Sequence, residues 1–178
     1  MRHNSHSRLL VACTVLALAS GCGPRRGDRV LETWETTNQS LKVRIKKFDE
    51  RQSVLLPHTY FALEAAAVGS DEWHEVMSWR SDDPIPIPSQ QVKVLNNQVV
   101  YAFANPTYVA TTDAGHTWST WDLAKDGPRL PYPKQAWVKE VHVSSDGNGR
   151  MILNYRSNVG FALAELTTTD YGVHWATK

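Results

Sequence analysis

TTDAGHTW at residues 111–118 and TTDYGVHW at residues 168–175 are the two stretches that decide the predicted fold. Each places a hydroxyl residue, an Asp, a Gly and a Trp at the same spacing. An Asp side chain can accept hydrogen bonds from the backbone of its own turn, and a Gly adopts positive φ at the tight point without steric cost. The Trp then opens the next strand and buries a large apolar area. Both stretches therefore indicate a strand–turn–strand hairpin.

The residues that carry this pattern are predicted to be structural, not catalytic. They are Thr111, Asp113, Gly115, Trp118, Thr168, Asp170, Gly172 and Trp175. Thr117 adds a further hydroxyl in the first copy, and His174 replaces it in the second. VGSDEW at 68–73 keeps only the Trp and its preceding strand, and it is interpreted as a third, decayed copy. The spacing of the three copies suits three or four antiparallel strands per unit.

The two complete copies resemble Asp-boxes (BNR-type repeats), the hairpin signature of sialidase-type propellers and related repeat proteins. In those families the Asp-box is a folding device that lies away from the active site, so the resemblance implies a structural role for both Asp residues. The arginine cluster, tyrosine–glutamate pair and acid of the sialidases have no recognisable counterpart in this chain. Asp-box lipoproteins that assist photosystem assembly are a precedent for a binding role, although they have more blades than fit here.

Short β-rich runs separated by turn residues extend the pattern over most of the chain, and no window shows helical recurrence of apolar residues. Proline-bearing stretches at 82–89 and 127–133 are expected to cross between sheets. The sequence predicts an all-β domain of antiparallel sheets in about three propeller-blade-like units, as a partial propeller or a sandwich. Because propellers typically have four to eight blades, a closed ring would need copies from several chains. Packing within one chain is the simpler expectation, and the oligomeric state stays open. The strand-like runs lie at 41–45, 60–63, 92–94, 99–103, 138–143, 151–153 and 161–166.

The N-terminus carries a separate signal. Two arginines precede an apolar run at 9–20 that is too short to span a bilayer and ends at Gly21-Cys22. This pattern predicts a secretory signal peptide. The segment ALASGC resembles the lipobox of bacterial lipoproteins, which implies a lipid on the thiol of Cys22. Gly23 stands where an Asp would favour inner-membrane retention in that family, so the resemblance implies the outer membrane, facing the periplasm or the cell surface.

These boundaries give a signal helix at residues 1–21, a tether at 22–35 and an Asp-box β domain at 36–178, which is the size of one domain. The only cysteines are Cys13 and Cys22. The mature body would therefore contain neither a disulfide nor a zinc site built from cysteines.

Charge and motifs exclude several classes of function. The chain has 19 basic and 18 acidic residues, and a near-neutral body argues against nucleic-acid binding, which needs a basic surface. It contains no nucleophile elbow, phosphate-binding loop, dinucleotide fingerprint or metal-binding histidine spacing. The sequence therefore predicts no catalytic residue, no metal and no cofactor, and it favours a protein that is not an enzyme.

The strand around residues 41–46 offers a candidate binding surface. Lys42, Arg44 and Lys46 alternate with apolar residues and so share one face. This stripe could meet anionic lipid head groups or an acidic partner. The favoured interpretation is a solvated face on an edge strand, where lysines deter aggregation.

Trp34, Trp79, Trp121 and Trp137 lie outside the repeated Trp position, either in a sheet-on-sheet core or on a platform for sugars or peptides. The resulting expectation is a lipid-anchored envelope protein, held at the membrane by its anchor. It would act without catalysis as a binding, assembly or scaffold module, with a protein or envelope component as its partner. The alternatives are a glycan-binding or glycoside-hydrolase-like protein and an envelope immunity protein against a secreted toxin.

Overall fold

The computed structural model describes residues 26–50, 59–81, 87–104 and 106–178, and within them β-strands dominate. One short helix, α1, and a 3₁₀ turn at Ser89–Gln91 interrupt the strands. The bounds are β1 (Arg26–Thr37), β2 (Leu41–Glu50), β3 (Thr59–Ala67), β4 (His74–Ser81), β5 (Val92–Val94), β6 (Val100–Ala104), β7 (Thr107–Thr111), β8 (Ser119–Asp122), α1 (Leu123–Asp126), β9 (Tyr132–Val143), β10 (Gly149–Ser157), β11 (Gly160–Thr168) and β12 (Ala176–Thr177).

The strands form three four-stranded antiparallel sheets, each from strands consecutive in the chain. The first sheet contains β1 to β4, the second β5 to β8 and the third β9 to β12. The predicted all-β class and its three antiparallel units are therefore confirmed. In the second and third sheets the two TTD stretches connect the third strand to the fourth, and VGSDEW occupies the same place in the first.

The second sheet lies between the other two because both of its faces are apolar. In β7, Val109 packs against the first sheet, whereas its neighbours Tyr108 and Ala110 pack towards the third. This follows from the alternation of side chains along a strand. Two clusters result, one on each side of the second sheet, and each large side chain buried there contributes about 1.5–3 kcal/mol. The largest fully buried members are Val43, Ile45, Phe61, Leu63, Val100 and Val109 in the first cluster, and Tyr108, Met151 and Leu153 in the second.

The predicted tether needs a correction. Strand β1 begins at Arg26, inside the range 22–35, and pairs with β2 from Thr33 opposite Lys46 to Thr37 opposite Lys42. The edge of β2 offers backbone partners to this polar segment, and Trp34 packs against the first cluster. The domain therefore starts about ten residues earlier than predicted. The predicted signal peptide and Cys22 lie outside the described residues.

Residues 127–131 connect the second sheet to the third, as predicted, whereas the last two residues of the predicted crossing, Tyr132 and Pro133, belong to β9. The other proline-bearing stretch lies partly outside the described residues. None of the helices in the described part of the chain has the length and apolar character that crossing a bilayer requires.

Candidate functional site

One threonine and one aspartate hold the turn between β7 and β8. Thr111 is buried, donates its hydroxyl to Oδ1 of Asp113 at 2.8 Å, and accepts the backbone N–H of Gly115 at 2.9 Å. Asp113 accepts the backbone N–H of Thr117 at 2.9 Å and the hydroxyl of Thr117 at 2.6 Å. The carboxylate thus caps its own turn, in the way that the sequence pattern predicts.

The turn between β11 and β12 repeats this network. Thr168 donates to Oδ1 of Asp170 at 2.7 Å and accepts the backbone N–H of Gly172 at 3.0 Å. Asp170 accepts the backbone N–H of His174 at 3.0 Å, and its Oδ2 lies 2.7 Å from Nδ1 of His174. The imidazole therefore replaces the hydroxyl of the first turn without altering the rest of the network.

Both turns place two consecutive residues in the left-handed region. Gly115 and Gly172 have φ of 86° and 83°, and their predecessors Ala114 and Tyr171 have φ of 59° and 63°. A non-glycine residue in this region costs about 1–2 kcal/mol. The hydrogen bonds to the Thr and Asp side chains offset that cost and fix the shape of each turn.

Each of these turns packs against the preceding sheet. A Cβ on Gly115 would lie 2.5 Å from Cδ1 of Leu41 in the first sheet, and a Cβ on Gly172 would lie 2.5 Å from the hydroxyl of Tyr108 in the second. Tyr108 also donates its hydroxyl to the carbonyl of Tyr171 at 2.8 Å. The turns therefore join one sheet to the next.

The two tryptophans that close the pattern lie at the same junctions. Trp118 packs against the cluster between the first and second sheets. Trp175 packs against the other cluster and meets the Tyr108 ring edge to face, with 5.4 Å between the ring centroids.

The electrostatics of the two aspartates fit a structural role. Hydrogen bonds from the side chain and backbone of Thr117 lower the pKa of Asp113 from 3.8 to about 2. Partial burial raises the pKa of Asp170, but hydrogen bonds from His174 and Thr168 outweigh it and hold that pKa below its ordinary value. Both carboxylates are therefore ionised at neutral pH, and their oxygens are hydrogen-bonded within their own turns.

The three residues of the basic stripe share the outer face of the first sheet. Glu64, on β3, lies 2.6 Å from Arg44 and 3.0 Å from Lys46. Lys42 donates to the carbonyl of Ser70 at 2.6 Å, and the Trp73 ring covers the Arg44 guanidinium at 3.8 Å. The cations are thus engaged within the sheet. The predicted solvated face on an edge strand is wrong, because β2 is paired on both sides, with β1 and β3. The sequence did not predict the ion pairs because Glu64 is distant along the chain.

A groove of about 520 Å³ between the first and second sheets is lined by Glu72, His74 and His116 beside small residues of β3 and of the turn after β7. In the described portion of the chain, no group of three or more His, Cys, Asp or Glu side chains is arranged to hold a metal ion.

The outer face of the third sheet carries exposed apolar side chains that the sequence analysis did not single out. Phe161 and Leu163 on β11 are 69% and 59% exposed, and Val159 in the preceding turn is 98% exposed. Trp137 on β9 meets Phe161 edge to face at 5.6 Å, and Tyr132 lies on the same face. We call these five residues the apolar patch. Of the four tryptophans outside the repeat, Trp137 is the one that lies on this surface, where an aromatic platform for sugars or peptides was considered.

The remaining tryptophans outside the repeat are core residues. Trp121 is buried in the second cluster, and Trp34 and Trp79 pack against the first.

No protein-family model matches this chain, and comparison with curated proteins and with solved structures finds no significant match.

Proposed function

We propose that this chain is a lipid-anchored protein of the cell envelope that acts without catalysis, as a binding, assembly or scaffold module. The observation that carries the binding role is the apolar patch. Contiguous apolar patches larger than a few hundred Å² are rare on monomeric proteins and mark interaction sites, and aromatic side chains are enriched where proteins bind one another. Tyr132, Trp137, Phe161 and Leu163 stand on hydrogen-bonded strands, so binding orders little additional backbone.

The Asp-box resemblance supports the same proposal. In both turns the Thr and Asp side chains, together with Thr117 in one turn and His174 in the other, hydrogen-bond within the turn itself. Each turn also packs against a neighbouring sheet. This is the behaviour of a folding device. It leaves these carboxylates without a role in acid–base chemistry, which needs a proton transferable near neutral pH.

The binding role is tested by crosslinking in intact cells followed by purification of the full chain. We expect an envelope component to be recovered with wild type and lost with Phe161→Ser/Leu163→Ser. Val68→Ser is the matched control, because Val68 is 49% exposed on the first sheet's β3–β4 turn. Equal recovery with all three proteins would contradict a role for the patch.

The anchor is tested by metabolic labelling with palmitate. Cys22→Ser should abolish the label, whereas Cys13→Ser, inside the predicted signal, should keep it. A wild-type chain without label would remove the lipoprotein proposal and leave the binding role to be judged on the patch alone.

Glycan binding is the second candidate, favoured by the exposed rings of Tyr132 and Phe161 and the half-buried ring of Trp137 on one face. Aromatic rings can stack on sugar rings as well as pack against protein surfaces. Titration with soluble cell-wall fragments, followed by tryptophan fluorescence, separates the two. A fluorescence change lost in Trp137→Ala would favour the glycan.

A further inference from the structure

The first described strand begins close to the proposed lipid. Arg26, where β1 starts, comes four residues after Cys22. Four residues span at most about 14 Å, so the start of β1 stays within that distance of Cys22 whatever path the residues between them take. A lipid on Cys22 would therefore hold the start of β1 beside the surface of the bilayer.

The three sheets are aligned, so the start of β1 belongs to one edge of the whole stack. Asn38 in the β1–β2 turn donates to the carbonyl of Asn96 in the β5–β6 turn at 2.9 Å. Near the start of β6, the phenol of Tyr101 forms a hydrogen bond with the backbone of Val143, where β9 ends. The β1–β2, β5–β6 and β9–β10 turns therefore share one edge, and the strands run from it to the opposite edge.

The opposite edge, which we call the anchor edge, contains the start of β1, the start of β9 and the β10–β11 turn at 158–159. Exposed large apolar side chains of the described residues are concentrated there. Elsewhere in the described ranges they are Leu163, one row farther along β11, and Val68 and Val94, which lie at the other edge. Those at the anchor edge are Val30, Leu31, Tyr132, Val159 and Phe161.

The β10–β11 turn is held by its own side chains and presents Val159 to the solvent. Ser157 donates its hydroxyl to the carbonyl of Gly160 at 2.9 Å and accepts the backbone N–H of Val159 at 3.3 Å. Tyr132 donates to the side chain of Asn158 at 3.1 Å and so ties the start of β9 to the turn. An apolar tip thus stands on an ordered turn, and its contact with a surface would order little additional chain.

The lengths of the strands turn the third sheet towards the bilayer. β1 has 12 residues and β10 has 9, so β1 extends about 10 Å beyond the β10–β11 turn at the anchor edge. The first and third sheets are two sheet spacings, about 20 Å, apart. A stack that rests on the start of β1 therefore tilts by about 30° before the turn meets the same plane. This tilt turns the outer face of the third sheet, with Phe161, towards that plane.

The charges near the turn permit contact with a bilayer. Residues 157–161 include no charged residue, so the tip can leave water without desolvating an ion. Arg156, in the row beside the turn, donates to the neutral side chain of Gln135 at 3.3 Å. Glu140 and Glu165 stand two rows, about 14 Å, farther from the turn, and each pairs with a cation of its own. On α1, the Asp126 carboxylate accepts a backbone N–H at the start of its own helix.

We propose that the β10–β11 turn rests on the bilayer that holds the anchor, with the side chains of Tyr132, Val159 and Phe161 in its head-group region. Apolar side chains enter this region by about 5–10 Å, and tyrosine is enriched at membrane–water interfaces. The anchor keeps the turn at a high local concentration beside the bilayer, so a small apolar contact suffices. This inference rests on the proposed anchor and names the occupant of this end of the apolar patch. The row of Trp137 and Leu163 stands about 7 Å farther from the edge, within reach of the partner of the proposed binding role.

The test places the dye NBD on Val159→Cys in the full lipidated chain, reconstituted in phosphatidylcholine vesicles. The lipid occupies Cys22 and the signal peptide contains Cys13, so position 159 offers the free thiol. We expect the emission to shift to shorter wavelength and to be quenched by brominated lipid in the same vesicles. Val68→Cys, exposed at the other edge, is the matched control and should show neither change.

The outcomes separate this contact from the anchor. Equal quenching at both positions, or none at position 159 on a chain that carries palmitate, would overturn the contact and leave the anchor standing. A chain without palmitate that is still quenched on added vesicles would overturn the anchor and support the contact. The absence of both palmitate and quenching would overturn both.

Two changes test the apolar nature of the contact. Phe161→Ser should weaken the quenching of the label at position 159, whereas Phe161→Leu should keep it. Equal quenching in the two variants would overturn the part assigned to Phe161. Addition of phosphatidylglycerol should leave the quenching in place, and quenching that requires this anionic lipid would overturn an apolar contact.

A photoreactive residue tests the competing occupants. With p-benzoylphenylalanine in place of Phe161 in intact cells, irradiation should link the chain to lipid. A link to another protein or to a second copy, together with an unquenched label at position 159, would overturn the bilayer as the occupant.

Discussion

Thr117 and His174 occupy the same position in their turns and make the same contact through different chemistry. A hydroxyl approaches the carboxylate at 2.6 Å in one turn, and an imidazole nitrogen approaches it at 2.7 Å in the other. The position therefore needs a polar side chain that can reach the Asp carboxylate four residues earlier in the chain. The tolerance explains why sequence comparison of the two copies finds this position variable while the Thr, Asp and Gly stay fixed.

Asp113→Asn tests the capping carboxylate through pH. The folded-state pKa of Asp113, about 2, lies below the ordinary 3.8, so its contribution to stability is present above about pH 4 and is lost as pH falls towards 2. We expect the melting temperature of wild type to fall over this window. The variant should start lower at neutral pH and fall less. Asp71→Asn, at an exposed carboxylate 3.9 Å from Lys42, is the control and should keep the wild-type slope.

Gly172→Ala separates steric fit from backbone strain. Gly172 and Gly69 have similar φ, 83° and 87°, so alanine is strained equally at both positions. At Gly172 the new methyl also meets the buried Tyr108 ring at 2.5–2.6 Å, whereas at Gly69 nothing lies within 4 Å. We expect Gly69→Ala to cost about 1–2 kcal/mol of unfolding free energy and Gly172→Ala about 1–3 kcal/mol more. Equal losses in urea titrations would show that the turn does not press on the second sheet.

At the scale of elements, the hairpins that close the sheets also hold them together. Tyr108 links β7 to the turn after β11 by a hydrogen bond to Tyr171 and by ring contact with Trp175. Burial raises the pKa of Tyr108, so the phenol stays protonated and able to donate. The β3–β4 turn, by contrast, contacts its own sheet.

Trp175→Ala and Trp73→Ala should therefore differ in cost. Trp175 contributes to a junction between sheets, where truncation of a large aromatic costs about 3–5 kcal/mol when fully buried and less for a partly buried ring. Trp73 makes a surface contact with Arg44 that is worth about 0.5–1 kcal/mol. Thermal denaturation of the two variants should show the larger loss for Trp175→Ala. The reverse order would contradict the assignment of these rings.

Sequence patterns identify the strands whose residues are β-branched or alternate clearly, such as β2, β6 and β10. They miss β1 and β4, because strands at a sheet edge with many charged residues resemble loops. The orientation of β11 is also hidden, since Phe161 and Leu163 alternate with alanines and both faces are apolar. Its register with β10 places the alanines on the inner face, opposite Leu153 and Tyr155. Only the paired structure shows that the larger side chains face outwards.

For the whole molecule, the second sheet contributes one of its faces to each of the two apolar clusters. Loss of either neighbour would expose one of its faces. The described domain should therefore unfold as one cooperative unit, as small single domains usually do.

Ile45→Ala and Leu153→Ala test this cooperativity. Both side chains are nearly inaccessible and lie in different clusters, so each truncation should cost about 2–5 kcal/mol. Tryptophan fluorescence and far-ultraviolet circular dichroism should give one coincident urea transition for wild type and each variant, and the two losses should add. Separate transitions for the two clusters would show independent halves.

The contrast between the two ends of the stack gives the architecture a direction of growth. A fourth hairpin module joined beyond the third sheet would find an apolar seat already exposed by Phe161 and Leu163. A module joined ahead of the first sheet would have to displace Trp73 and remove from water the ion pairs that Glu64 makes with Arg44 and Lys46. Duplication of a four-strand module in such a gene would accordingly be tolerated at one end only, and engineered lengthening should begin there.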